Sequence, residues 1–537
     1  MSGFDWLPEF VERLAAHGVR LENSRFPDLE PARTVAVARE SWGRAAAAGH
    51  AFELRFAGLW GDPVDGGIVV RACLVRGGEC LVLVTETPGD VPAAECGDDF
   101  ALPSMASWYP GASRLERHLA DMLGVRMSGQ DDGRRWTRHR AWREGEFPLR
   151  CDFPVQGLPP RRTPSDDDYA FRAIQGSGVC EIPVGPVHAG IIEPGHFRFQ
   201  VVGEEVLALE ERLGYVHKGI EKIAVGRDAE GLARLAGRVS GDSTVAHAWA
   251  ACQAMERAAG CSVSRRASYL RGLACERERV ANHLGDIGAI CNDVGFGFAH
   301  AHLSRLRESW QRASAAAFGH RLLMDVVVPG GVAGDVSTDA AVELRRQHDA
   351  LRREIEPLFA VIDEHPSLED RLVGTGVLSP ADAASLGCTG YVGKASGQAW
   401  DLRVDAPSAP WDEIRIEGRA ASDQGDVAAR VRVRMDEIRA SLDAMDRLLD
   451  GLPVGGTRAE FHSPAGGGAG LAMVDGWRGE IMTFVRFGAD GRIARYFPRD
   501  PSWFTWPALE RLIGGNIVPD FPVCNKSVNA SYSGHDL

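Results

Sequence analysis

Four long amphipathic segments constrain the fold of this chain more than any other feature. In each segment, apolar residues recur three and four positions apart with charged residues between them, and several of the segments stop at a glycine. Each helix of this kind must bury its apolar face against a neighbour, so the sequence predicts a core built as a helical bundle. The predicted helices span residues 243–260, 264–295, 302–324 and 425–453.

The first third of the chain has a different pattern. GGIVVRACLVRG at 66–77 and ECLVLVTET at 79–87 are rich in β-branched residues and are predicted strands, and helix-like stretches accompany them. We therefore predict a small α+β domain over residues 1–154. The segment 155–170 contains GLPPRRTPSDDD, which is rich in Pro, Arg and Asp, and we interpret it as a linker to a second domain over residues 171–537.

Strand patterns also border the helical region. EIPVGPVHAG and HFRFQVVGEEV open the second domain, and GEIMTFVRFGADGRIARYFPR predicts two strands around the turn GADG. The predicted fold class is therefore α+β, with a small α+β domain followed by a mainly helical domain with peripheral strands.

The glycine-rich SPAGGGAG at 463–470 lacks the order G-x-x-x-x-G-K-(S/T), so we interpret it as a backbone turn rather than a phosphate loop.

Charge, hydropathy and cysteine spacing disfavour several classes of protein. A formal charge of -14 argues against nucleic acid as a partner. No stretch approaches the roughly 18 apolar residues of a membrane helix, and MSGFDWLPEFVERL lacks the order of a signal peptide, so we expect neither a transmembrane segment nor a signal peptide. None of the 11 cysteines forms a C-x-x-C pair, so we expect no self-contained cluster or zinc site and mostly buried thiols.

Several ordered motifs resemble known families. SWYPGASRLERHLADMLGV and PLRCDFP resemble the 30-kDa-type subunit of respiratory complex I. GPVHAGIIEPGHFRF, RLGYVHKGIEK, ERERVANHLGDIG, GWRGE and GGNIVPDFP resemble the 49-kDa-type subunit and, more closely, the large subunit of group 4 membrane-bound [NiFe] hydrogenases of the formate hydrogenlyase type. Those hydrogenase subunits fuse the same two domains in the same order, as does the fused C/D-type subunit of NADH-quinone oxidoreductase. The resemblance thus covers nearly the whole chain.

The resemblance also indicates what this chain has lost. The hydrogenases bind nickel and iron through four cysteines, in R-x-C-G-x-C and in D-P-C-x-x-C. The matching positions here hold Ser240, Ser243, Ser531 and Gly534. Serine hydroxyls are hard, weak ligands, whereas nickel in these sites depends on anionic sulfur, so we expect no metal in this chain and no turnover of hydrogen. Three neighbours complete the predicted cavity: Arg238, Asp242 and His247.

A proton role is the first hypothesis for the remaining site. Glu193 matches a glutamate that carries protons at the edge of the hydrogenase metal site, and His188 and His196 are expected nearby. In complex I, a Tyr and a His hold the quinone headgroup. Here Gly241 occupies the Tyr position, with Tyr532 as a candidate substitute, so quinone binding stays open as an alternative.

The resemblance implies a peripheral-arm subunit of a complex-I-like or energy-converting-hydrogenase-related membrane oxidoreductase, on the cytoplasmic side of the cell membrane. Its expected partners are an iron-sulfur small subunit, which holds a [4Fe-4S] cluster, and antiporter-like membrane subunits. Electron transfer from that cluster would be coupled to ion movement. Two alternatives stay open, a quinone-reducing subunit and a non-catalytic scaffold, and the sequence leaves undecided whether the chain is itself an enzyme.

Overall fold

A computed structural model describes residues 4–23, 25–88, 101–139, 141–143, 145–159, 169–188, 192–417 and 421–537. Much of the predicted linker lies outside these ranges. The helices are α1 (Leu7–Ala16), α2 (Trp42–Ala51), α3 (Ser113–Leu123), α4 (Ile220–Ile223), α5 (Ala229–Ala236), α6 (Thr244–Ala259), α7 (Arg265–Asp293), α8 (Gly297–Phe318), α9 (Thr338–Asp363), α10 (Pro366–Leu372), α11 (Pro380–Leu386), α12 (Gly390–Ala395), α13 (Leu402–Asp405), α14 (Val427–Asp450), α15 (Ser502–Leu512), α16 (Phe521–Val528) and α17 (Tyr532–Asp536).

The strands form several small sheets. They are β1 (Arg33–Ala36), β2 (Arg55–Val64), β3 (Gly67–Arg76), β4 (Glu79–Pro88), β5 (Leu102–Pro103), β6 (Met127–Ser128), β7 (Val179–Val184), β8 (His196–Val202), β9 (Glu205–Arg212), β10 (Val327–Val328), β11 (Gly331–Val332), β12 (Gly468–Gly476), β13 (Gly479–Phe487) and β14 (Ile493–Arg499). Helices and strands together confirm the predicted α+β class.

The N-terminal sheet has the order β1-β4-β3-β2. The two predicted strands are β3 and β4, which pair antiparallel through a tight connection at Gly77 and Gly78, both with positive φ. Strand β1 is parallel to β4, and β2, which the sequence analysis did not identify, pairs antiparallel with β3. Most side chains of β2 and β3 are buried, because this sheet is covered on both faces.

The core of the larger part is helical, as predicted. Helix α7 is 29 residues long and is buried over most of its surface, including several arginines and glutamates. It packs against α8, α14 and α16, while α6 packs on the sheet of β12, β13 and β14. All four predicted helices are present. The third is displaced, since α8 begins at Gly297 and ends before Gly319, whose left-handed backbone caps the helix.

The sheet β12-β13-β14 joins the two parts of the chain. Arg55 of β2 forms an ion pair of 2.6 Å with the buried Glu480 of β13, and the ring of Trp60 stacks on Phe497 of β14. The glycine-rich stretch leads into β12, where a Cβ on Gly470 would stand 2.1 Å from the carbonyl oxygen of Ala254 in α6. The glycines therefore permit close backbone packing at this position.

Candidate functional site

Two segments distant in the sequence meet at the predicted cavity. Ser240 lies in the loop between α5 and α6, and Ser531 is the N-cap residue of α17. Their hydroxyl oxygens are 2.9 Å apart, within hydrogen-bond distance, and both side chains are buried. Ser531 Oγ also accepts a hydrogen bond from the backbone N–H of Gly534 at 2.9 Å. The structure thus brings together three of the four positions that hold cysteine in the hydrogenases.

The fourth position is closed by a carboxylate. A Cβ on Gly534 would stand 2.7 Å from both Cγ and Oδ2 of Asp500, so this carboxylate occupies the space that a side chain at 534 would need. Asp500 is fully buried and accepts hydrogen bonds from His247 Nε2 and from the backbone N–H of Ser502, each at 2.8 Å. Burial would raise the pKa of the Asp500 carboxyl, but His247 and Arg478 hold it well below its usual range.

A bidentate ion pair closes the other side. The guanidinium of Arg478 donates to both carboxylate oxygens of Asp242, at 2.6 and 2.7 Å, and to Ser243 Oγ at 3.2 Å. Asp242 also accepts from Ser240 Oγ at 2.8 Å. Against the effect of burial, Arg478 lowers the pKa of Asp242, so both groups remain charged. Trp477 stacks on the guanidinium at 4.0 Å and fixes its plane.

These contacts define the closed site, by which we mean Ser240, Asp242, Ser243, His247, Arg478, Asp500, Ser531 and Gly534. Sequence reasoning identified six of these residues but not the two that fill the cavity. Arg478 stands in the GWRGE motif, which had marked the family without suggesting a role. Asp500 follows β14 and belongs to no motif, so no sequence signal indicated it.

Glu193 lies at the edge of the closed site and is exposed. Its Oε2 accepts a hydrogen bond from the backbone N–H of Ser533 at 3.0 Å. Lys218 bridges the same region, because its ammonium donates to the carbonyl oxygen of Val239 at 2.9 Å and to the hydroxyl of Ser533. Partial burial lowers the pKa of Lys218, which the neighbouring Glu193 counteracts. A carboxylate and an amine therefore lie between solvent and the closed site.

The two predicted histidines lie in the neighbouring β segment. His196 on β8 is buried and accepts a hydrogen bond from Arg198 Nε at 3.1 Å, while its Nδ1 lies 3.2 Å from the carbonyl oxygen of Gly185. Burial lowers its pKa, so His196 is neutral at pH 7. His188 Nε2 lies 3.0 Å from the carbonyl oxygen of Gly195. Each ring thus has a structural hydrogen bond to the backbone.

Arg238 and Tyr532, which were also predicted at the cavity, lie outside the closed site. Arg238 lies outside the closed site, since its exposed guanidinium pairs with Asp325 at 2.5 and 2.8 Å. Tyr532 is buried, its ring packs at 4.6 Å from Trp506, and burial raises its pKa above the ordinary range. A Cβ on Gly195 would stand 2.5 Å from the Tyr532 ring. The phenol is therefore packed against the β segment that carries His196.

The donor set does not fit a nickel-iron centre. The former ligand positions offer hydroxyl oxygens and a backbone position, and the adjacent carboxylates are engaged by His247 and Arg478. Across the described residues, no group of three or more His, Cys, Asp or Glu side chains is arranged to hold a metal. Cys524 is the cysteine nearest in sequence to the former ligand positions Ser531 and Gly534. Its side chain is buried against Gly376, and burial raises the pKa of its thiol to about 12.

A wholly buried charge network lies beside the closed site. Lys394 bridges Asp401 and Glu437 with distances of 2.7 Å to each carboxylate. Glu437 also accepts from His283 Nε2 at 2.6 Å, and the His283 ring lies 6.0 Å from the Trp477 ring. The members of the network are Glu276, Arg279, His283, Lys394, Asp401, Arg403, Glu437 and Asp475. No local pattern in the sequence indicates this network, because its residues come from five separate elements.

Among the described residues, no helix combines the length and the apolar character needed to cross a membrane. The family models of the respiratory-chain NADH dehydrogenase 49-kDa and 30-kDa subunits match residues 293–465 and 89–159. The family model of nickel-dependent hydrogenase matches residues 218–285.

Relatives of known identity agree with these matches. Formate hydrogenlyase subunit 5 of Escherichia coli is 32% identical over 81% of this chain and 76% of its own length. The carbon monoxide-induced hydrogenase of Rhodospirillum rubrum is 34% identical over 66% of this chain and 98% of its own length. A chain of the membrane-bound sulfane sulfur reductase, an archaeal respiratory membrane complex, matches with a TM-score of 0.63 and 25% identity over 67% of this chain and 99% of that chain.

Proposed function

This chain belongs to the family of large subunits shared by membrane-bound nickel-dependent hydrogenases and complex-I-like respiratory complexes, and we propose that it works there without a nickel-iron centre of its own. A relative from Pyrococcus furiosus is named as the alpha subunit of a membrane-bound hydrogenase, and the solved relative belongs to a respiratory membrane complex, so the partners of this chain would include membrane subunits. More specifically, it would dock on a small subunit with a [4Fe-4S] cluster and on antiporter-like subunits, and couple electron transfer to ion movement.

The closed site is the observation that carries this proposal. Every former ligand position is engaged by hydrogen bonds or filled by a neighbouring carboxylate, since Arg478 forms an ion pair with Asp242 and His247 forms a hydrogen bond with Asp500. The fold also serves a reaction other than hydrogen turnover in a relative, because the solved complex is named a sulfane sulfur reductase. A member of this family can therefore act in a reaction other than hydrogen turnover.

In this proposal, Glu193 exchanges protons with solvent and Lys218 relays the change in charge to the closed site. Lys218 contacts both segments of that site, through the Val239 carbonyl and through Ser533. A proton gained or lost at Glu193 would change the attraction on Lys218, and through it the packing of α17. The scaffold alternative assigns no such role to these side chains.

A purification experiment tests the assembly. The tagged full chain is isolated from mildly solubilised native membranes, co-purifying subunits are identified by mass spectrometry, and nickel is measured by inductively coupled plasma mass spectrometry. We expect an iron-sulfur subunit, antiporter-like membrane subunits and far less than one nickel per chain. Stoichiometric nickel, or recovery of the chain alone, would contradict the proposal.

The variant E193Q separates coupling from scaffolding. We expect the complex to assemble normally and to transfer electrons, with ion movement uncoupled. E204Q is a matched control, because Glu204 is an exposed glutamate in the turn between β8 and β9. Full coupling in E193Q would favour the scaffold alternative.

A quinone-reducing role is the second candidate, because a relative named as the C/D subunit of NADH-quinone oxidoreductase, from Phocaeicola vulgatus, is 30% identical over 72% of this chain and 78% of its own length. Inhibition of the purified complex by quinone-site blockers would support it, and its absence would argue against it.

A further inference from the structure

A cavity of about 150 Å³ lies beside the closed site, between the loop that contains Asp242 and the helices α7 and α8. Its lining includes Gly241 and Asp242 from the loop, Arg277, Glu278 and Asn282 from α7, and Arg307 from α8. Charged and amide side chains dominate this set. Alanine and leucine side chains complete the lining of this partly open cavity, and its charged groups suit a small polar ligand.

Two guanidinium groups of the lining have no carboxylate partner within the described part of the chain. Arg277 is fully buried and donates to neutral acceptors, among them Ser314 Oγ at 3.0 Å and the Trp310 carbonyl oxygen at 2.9 Å. Burial lowers its pKa to about 9, so it is still charged at pH 7. Arg307 donates to Asn282 Oδ1, at 3.4 Å, and its Nε is buried without an acceptor among the described residues.

The position of Arg307 is a built feature of the helix pair. A Cβ on Gly285 of α7 would stand 2.9 Å from Arg307 Nη1, so a glycine at this position makes room for the guanidinium on the surface of α7. Asn282, one turn earlier, contacts the same guanidinium and donates its amide to the carbonyl oxygen of Asp242 at 2.7 Å. The cation is thus placed at the cavity without an anion from the described residues to balance it.

The carboxyl groups of the lining do not neutralise these cations. Asp242 is already paired with Arg478 by two hydrogen bonds. Both oxygens of Glu278 accept backbone N–H groups at the start of α6, from Val245 at 2.7 Å and from Ala246 at 3.2 Å. Even with Glu278 ionised, the cavity keeps an excess of positive charge from Arg277 and Arg307.

We propose that this cavity is a binding site for a small oxyanion, such as a short carboxylate, bicarbonate or nitrate. The guanidinium of Arg307 supplies a planar fork of N–H donors, which suits planar oxyanions. The volume of about 150 Å³ admits a molecule no larger than about benzene, so bulky anions are excluded. A bound anion would compensate the positive charge that Arg277 and Arg307 place beside the closed site.

Binding to the purified full chain tests this inference. Thermal melting and isothermal titration are run with formate, acetate, bicarbonate and nitrate at an ionic strength matched with sodium chloride, with citrate as an oversized anion. We expect saturable stabilisation by at least one small oxyanion, competition among those that bind, and none with citrate. Stabilisation by the carboxylates alone or by the inorganic anions alone would identify the ligand class.

Two variants locate the site. R307Q is expected to raise Kd at least tenfold, and A281L, which places a larger side chain in the cavity lining without removing a charge, is expected to abolish binding. R312Q is the matched control, because Arg312 lies on the same helix, is exposed and does not line the cavity. The proposal is wrong if no small oxyanion acts beyond chloride, or if R307Q and A281L both fold and bind as the parent chain does.

Discussion

Gly534→Ala tests directly whether the former ligand position is filled. The new Cβ would stand 2.7 Å from Cγ and Oδ2 of Asp500, about an ångström closer than carbon atoms pack at their optimum. Asp500 cannot retreat without stretching its 2.8 Å hydrogen bonds with His247 and with the Ser502 backbone. Gly534 itself does not have positive φ, so alanine adds no backbone strain and the effect measures packing alone.

The expected loss of stability follows from these contacts. Overpacking a filled interior costs about 1–3 kcal/mol, and weakening a charge-assisted hydrogen bond adds about 1.5–3 kcal/mol. The better helix propensity of alanine returns at most about 1 kcal/mol. We therefore expect Gly534→Ala to lower the free energy of unfolding by about 3 kcal/mol. With an unfolding entropy of about 1.1 kcal/mol/K for a chain of 537 residues, Tm falls by about 3 °C.

Differential scanning calorimetry of the full chain is the assay, with two comparisons. G241A is the control, because a Cβ on Gly241 would meet no atom within 4 Å, and its Tm should be unchanged. The second comparison uses the D500S background, where the shorter side chain leaves room, so that adding G534A should cost less than about 1 kcal/mol. An unchanged Tm for Gly534→Ala, or an equal penalty in both backgrounds, would refute the reasoning that Asp500 closes this position.

Three further predictions concern buried titratable groups. Burial raises the pKa of Glu278 to about 8, so the folded chain keeps a proton on this carboxyl that the unfolded chain releases above about pH 4.5. The free energy of unfolding should therefore fall between about pH 4.5 and about pH 8, by at most about 1.4 kcal/mol per pH unit. Calorimetry at several pH values should find this slope reduced in E278Q. K394M leaves two buried carboxylates without their shared cation and should cost about 3–5 kcal/mol in a denaturant titration, whereas R432M, at an exposed position, should cost less than about 1 kcal/mol. Alkylation by iodoacetamide at pH 8, followed by mass spectrometry, should modify the exposed Cys180 and spare Cys524, and rapid labelling of Cys524 in the folded chain would contradict its burial.

The sequence predicted most of the helical core because its signals are local. Apolar spacing identified α6, α7 and α14 to within a few residues, and Gly319 explains the early end of α8, since a left-handed glycine stops a helix that the apolar pattern would continue. The strands β3 and β4 followed from β-branched runs. Helix α9 and strand β2 were not identified; β2 contains Gly58, Gly61 and Pro63, residue types that are uncommon in strands and weaken the local strand signal.

The absence of the four thiolates was determined by the sequence alone, because it depends only on which residues occupy positions 240, 243, 531 and 534. What fills the space was decided by the tertiary structure. Ser240 and Ser531 are 291 positions apart, and Asp500 reaches the gap at Gly534 from the residue after β14, a strand that was predicted without any role for Asp500. Such contacts arise from how helices and strands pack. Local patterns in the chain therefore cannot encode them, and the identity of the group that balances each buried charge follows only from the folded arrangement.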